Sequence, residues 1–151
     1  MQEQAHSWRN VILDLDEFWG KPRDPDGINA WERNPDGTPL INRTLQSGWR
    51  LKLDPGKRYL FGVNEKGDLL LAEELVVNGG RKLGHPTLTG GGKLRIAGEA
   101  FFRRGDNKWV FTDQSGRYHN MDPATPAQLQ SVADRIKLQA DLKNEVIVEP
   151  F

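Results

Sequence analysis

Sixteen glycines and nine prolines break this chain of 151 residues into short pieces. Proline fixes φ and removes a backbone donor, while glycine supplies the φ > 0 positions of tight turns. Punctuation at this density excludes a coiled coil and predicts short strands joined by turns. No apolar run reaches the roughly 18 residues of a membrane span, so no membrane partner is expected. There is no cysteine, which removes a disulfide framework, a thiolate zinc site and a cysteine nucleophile. Apolar residues make up only 36% of the chain, but five Trp and six Phe supply large anchors for a core.

Pattern divides the chain near residue 48. Residues 1–48 read as a turn-rich lead segment, and residues 49–151 as a compact α+β unit. In the lead segment, Val11–Leu15 with Phe18 and Trp19 predicts one short element, and Trp8, Trp19 and Trp31 argue for packing. Asp24–Gly27 and Asn34–Gly37 both read N/D-P-D-G, a turn signature. Trp49–Leu53 alternates as a strand. Tyr59–Val63 and Asp68–Leu75 flank the hairpin loop Asn64–Gly67. Leu94–Arg103 and Lys108–Thr112 predict a second hairpin, and Val146–Val148 a last strand. One helix is clear, over Pro126–Leu138. Thr125 is its N-cap, Pro126 its first residue and Gln128 completes a capping box. Leu129, Val132, Ala133, Ile136 and Ala140 form its apolar face. The expected fold is α+β: an antiparallel or mixed sheet of five to seven strands with one C-terminal helix.

Charge is balanced overall at 21 basic and 21 acidic side chains. By position it is not: residues 1–75 carry a net of −3 and residues 76–151 a net of +3. Arg81, Lys82, Lys93, Arg95, Arg103, Arg104 and Lys108 concentrate the excess. Such a stretch attracts phosphates or nucleic acid, or is an ordinary solvated strand face.

P-loop, H-E-x-x-H and G-x-S-x-G motifs are absent, and His6, His85 and His119 are too scattered for a metal site. Two stretches carry candidate chemistry. In Gly84–Glu99 a histidine precedes two hydroxyls, a triple glycine and a strand holding Ala97-Gly98-Glu99. The glycines allow close approach of a ligand, or make a wide turn. Glu99 either faces a cleft or points to solvent. In Gln114–His119, Ser115-Gly116 presents Arg117 and Tyr118. Arginine grips phosphate and tyrosine stacks on planar rings; alternatively Tyr118 packs on the helix.

The order His85-Pro-Thr87, Gly90–Gly92, Ala97-Gly98-Glu99, Ser115-Gly116-Arg117-Tyr118 and then an amphipathic helix resembles C-terminal domains of bacterial polymorphic toxins and effectors. It covers roughly residues 59–140. Arg117 stands where that pattern has histidine, and Asn120 where it has proline. Such domains often look like the ADP-ribosyltransferase superfamily, which implies an ADP-ribosyltransferase-like sheet and NAD as the cofactor-substrate. The resemblance further implies that His85, Thr87, Ser115, Arg117 and Tyr118 hold NAD. Arg50 or Tyr59 are alternatives for the ribose-holding position.

Under that resemblance the catalytic set is Glu99, with His85, and with Glu149 as rival carboxylate. A carboxylate stabilises charge developing as nicotinamide departs and can orient the acceptor. The implied function is a toxin domain, delivered by an Rhs-type or type VI-type polypeptide into a target cell, that transfers ADP-ribose to a protein or nucleic-acid acceptor. A cognate immunity protein is the expected partner. Met1–Asn10 is polar, with no apolar signal-peptide core expected. Two other functions fit the residues: a metal-independent nuclease with His85 as general base, and a non-enzymatic β-rich binding module.

Overall fold

At Asn64 the side-chain oxygen accepts from the backbone of Lys66 at 3.0 Å and of Asp68 at 2.9 Å, while Gly67 takes φ +86°. This Asx-type turn reverses the chain and fixes the first hairpin. The computed structural model describes residues 15–41, 44–45, 51–77, 80–119 and 122–150. Expectations for Trp8, Val11–Asp14, Trp49, Arg50 and Asn120 lie outside the described residues.

In chain order the elements are α1 (Leu15–Phe18), β1 (Arg58–Asn64), β2 (Leu69–Glu73), β3 (Val76–Val77), β4 (Arg81–Lys82), α2 (Pro86–Thr89), β5 (Leu94–Arg103), β6 (Lys108–Thr112), α3 (Pro126–Ala140) and β7 (Val146–Val148). Five strands form one mixed sheet in the order β2–β1–β5–β6–β7. All pairs are antiparallel except β6–β7, which is parallel because α3 carries the chain back across the sheet. The fold is α+β, with five strands and a C-terminal helix. Strands β3 and β4 make a separate two-stranded ribbon.

The capping box of α3 forms as the sequence predicts. Thr125 Oγ1 accepts from Gln128 N at 3.2 Å, and Gln128 Oε1 accepts from Thr125 N at 2.8 Å. Leu129, Val132, Ala133 and Ile136 are buried against one sheet face with Tyr59, Phe61, Val63, Leu69, Leu71, Ile96, Ala100, Trp109 and Phe111. The opposite face carries a second cluster of Leu60, Leu70, Ala72, Leu88, Leu94, Ala97 and Tyr118. Burial on both faces explains why β1 and β2 read as near-continuous apolar runs.

Leu94 and Ile96 belong to opposite clusters although they are two residues apart. The cause is a β-bulge: Asn64 pairs with Leu94 and Val63 with Ile96, so Arg95 is the extra residue. Its guanidinium bonds the carbonyls of Glu65 and Gly20 and the carboxylate of Asp16.

The described part of the lead segment packs into these cores. Trp19 is 1% exposed in the helix-side cluster. Arg23 exchanges both backbone bonds with Leu94, at 2.9 and 3.0 Å. Asn34–Gly37 closes a hairpin tip, with Gly37 N on Asn34 O at 2.9 Å and Arg33 bridged to Pro39. The strand expected over Trp49–Leu53 is corrected for its described half. Leu51–Leu53 has no strand ladder, and Leu51 N bonds Gln139 O at the end of α3 instead. Alternation there reflects packing on the helix-side core, which Leu51 and Leu53 join.

Candidate functional site

His85 and the triple glycine flank a short helix that the sequence reading did not anticipate. Pro86 is preset for its first turn, and Gly90 ends it at φ +66°. Gly90 also touches the lead hairpin: a Cβ there would sit 2.3 Å from Gly37 O. Thus α2 and Gly90–Gly92 form a helix and its cap pressed against residues 37–39, rather than an open phosphate-type loop.

Three of the expected site residues do converge. His85 is 3% exposed. Its Nε2 bonds Gly98 O at 2.7 Å, just beyond Glu99–Thr112, the last β5–β6 pair. Its Nδ1 lies 3.1 Å from Ser115 Oγ. Since a carbonyl can only accept, Nε2 carries the proton and Nδ1 is left as acceptor for the Ser115 hydroxyl. Burial holds the His85 pKa below the ordinary histidine value, opposed by its bond to Gly98 O, so the ring is neutral. Ser115 Oγ also accepts from Tyr118 N at 3.2 Å, which folds residues 115–118 into a tight turn. Tyr118 packs edge-on to His85, with centroids 6.3 Å apart. Its hydroxyl donates to Gly92 O at 2.5 Å and meets Thr89 Oγ1 at 3.0 Å. Burial pushes the Tyr118 pKa up to about 12.

Thr87 and Arg117 are committed elsewhere. Thr87 Oγ1 donates to Gly84 O at 2.6 Å inside α2. Arg117 pairs with Glu32, a fully buried carboxylate at the end of a 3₁₀ turn over Ala30–Glu32, and donates to Gly27 O at 2.8 Å. Tyr118 packs on the sheet face opposite α3, not on the helix. The polar atoms of His85, Thr87, Arg117 and Tyr118 therefore bond within the chain, and the lead segment holds Arg117 through Glu32 and Gly27.

Both candidate carboxylates lie on the open half of that second sheet face. Glu99 pairs across the sheet with Thr112. Val148 lies opposite Phe111, so the next residue, Glu149, lies beside Thr112. Glu99, Thr112 and Glu149 thus share one cross-strand row. Each carboxylate holds an arginine: Glu99 with Arg58 at 2.9 Å, and Glu149 with Arg103 at 2.8 Å. The Glu99 side chain is 15% exposed and that of Glu149 48%. Arg58 stacks over the Phe101 ring at 4.2 Å, and Val110 forms a buried floor between Phe101 and Ile147.

Most of the described basic stretch is already neutralised. Arg103 also binds Asp106 at 2.8 Å, and Lys108 lies 3.8 Å from Glu145. The Asp106 and Glu149 carboxylates raise the Arg103 pKa still further. A cleft of about 270 Å³ opens beside Ser115, lined also by Ala97, Asp113, Gln114, Gly116, Tyr118 and His119. Among the described residues there is no group of three or more His, Asp or Glu arranged to hold a metal. Nor is any helix among them long and apolar enough to cross a membrane. Family models, curated proteins and solved structures all give no match to the chain.

Proposed function

We propose that the chain is a toxin-type domain that transfers ADP-ribose from NAD to an acceptor in a target cell, and that the reaction lies on the open sheet face. The observation that carries this reading is the row Glu99–Thr112–Glu149, with Arg58 and Arg103 beside it. Two guanidiniums can exchange a carboxylate for the pyrophosphate, whose anionic oxygens also accept bidentate guanidinium bonds. Phe101 carries the Arg58 guanidinium on its ring and so holds it over this face. Glu99 is the more enclosed carboxylate, so its charge acts more strongly on a positive centre developing at the ribose carbon. His85, Thr87, Arg117 and Tyr118 then shape and support the domain rather than touch the dinucleotide. An immunity protein would neutralise the toxin by covering this face.

Nicotinamide release from NAD by the purified chain tests the proposal directly. Wild type is expected to turn NAD over, with a loss of about 100-fold or more in Glu99→Ala and a smaller loss in Glu149→Ala. Absence of NAD turnover in folded wild type, or turnover unchanged in both variants, sinks it.

A further inference from the structure

We propose that Ser115 and His85 form a nucleophile–base pair that cleaves small acyl esters in the cleft beside Ser115. This site is distinct from the carboxylate row and needs no NAD. Three features of the geometry carry it. The Gly98 carbonyl fixes the His85 tautomer, so the only free lone pair of the ring, on Nδ1, faces the Ser115 hydroxyl at 3.1 Å. The Tyr118 N–H occupies one acceptor position of Ser115 Oγ. The hydroxyl proton then points to Nδ1, and a second lone pair is left for attack. Finally, Ser115 is partly exposed on the wall of the cleft whereas His85 behind it is buried. A nucleophile at a solvent-facing wall with a dry, oriented base behind it is the arrangement serine catalysis requires. The cleft, at about 270 Å³, limits the acyl group to a short one.

The chemistry balances with water as co-reactant. Ser115 Oγ bonds to the ester carbonyl carbon while its proton passes to His85 Nδ1. The resulting oxyanion collapses, the carbon–oxygen bond to the leaving alcohol breaks, and His85 returns the proton to that alcohol. Water then attacks the acyl-serine, gives its proton to Nδ1, and the acid leaves as Ser115 recovers its hydrogen. Gln114 lines the same cleft, and its carboxamide would serve as a neutral donor for the oxyanion.

The test uses the full chain with a fluorophosphonate probe and p-nitrophenyl acetate, without NAD. Peptide mass mapping is expected to place the fluorophosphonate on Ser115 and on no other serine at comparable rate. Ester hydrolysis is expected to show an initial burst and to fall about 100-fold or more in Ser115→Ala. In wild type, the labelling rate is expected to rise with pH and level off below the ordinary histidine value of 6.5, as burial of the base requires. Failure of Ser115 to label in folded wild type overturns the proposal, whatever the variants do. Labelling that only rises in the alkaline range of a free hydroxyl overturns it too, because the base would then be idle.

Discussion

Arg117, in the loop after β6, holds the carboxylate of Glu32, which has no exposed surface at all. The pair ties the lead segment to the sheet. Removing only the cation leaves a buried, unpaired charge, which costs about 3–5 kcal/mol. Arg117→Met is therefore expected to lower the denaturant midpoint steeply, and Glu32→Gln added to it should recover part of the loss. Urea titration of both variants, read against wild type, checks this. Equal destabilisation in the single and double variants would show that the pair does not couple.

Gly98 allows β5 and β6 to close over Phe61. An added Cβ would lie 1.9 Å from Thr112 O and 2.5 Å from Phe61 Cζ. Backbone cannot yield that far without breaking the strand pair, so Gly98→Ala is expected to cost at least the 1–3 kcal/mol typical of overpacking, about a large fraction of a small domain's stability. Thermal unfolding by circular dichroism measures it. A melting temperature equal to wild type would contradict the close approach.

His85 gives stability a pH dependence of known sign. Its folded pKa is lowered by burial from 6.5, so below that value the unfolded chain binds more protons than the folded one. Stability is full above the unfolded pKa and falls as pH drops through the interval beneath it. A series of melting temperatures from neutral to acid pH should show this fall. The slope should flatten in His85→Gln, which cannot titrate.

Tyr118 titrates in the opposite sense. Its pKa is raised to about 12 from 10.0, so its contribution is complete below 10 and lost as pH rises through the folded value. Ultraviolet titration of phenolate should resolve a late step that Tyr118→Phe abolishes. The same substitution removes the bonds to Gly92 O and Thr89. About 1–2 kcal/mol of stability should go with them.

The parts of this fold that rest on local chemistry could be read from the chain. Asn64-Glu-Lys-Gly67 encodes its own turn, and Thr125 with Gln128 encodes its own cap, so the hairpins and α3 stand where pattern placed them. What pattern missed depends on partners distant in sequence. Pro86–Thr89 carries no helix signal of its own because its helix is only one turn long and is stabilised by burial of Thr87 and Leu88. The lead segment reads as turn-rich because its turns are visible locally, whereas the pairing of Glu32 with Arg117 is not. At the site, only the resemblance groups His85, Ser115 and Tyr118, and it groups them as holders of NAD. Their bonds to the carbonyls of Gly98 and Gly92 are ones that no side-chain motif reveals. The row of Glu99 and Glu149 follows from β7 running parallel to β6, a consequence of topology alone.

The bulge at Arg95 shifts the phase of β5, so that Leu94 and Ile96 serve opposite cores. Deleting Arg95 would restore plain alternation and leave Leu94 opposite Asn64 on its own face, but it would remove the guanidinium that gathers Asp16, Gly20 and Glu65. The extra residue is therefore a fastening for the segment that precedes the sheet, and not a packing element of the strand.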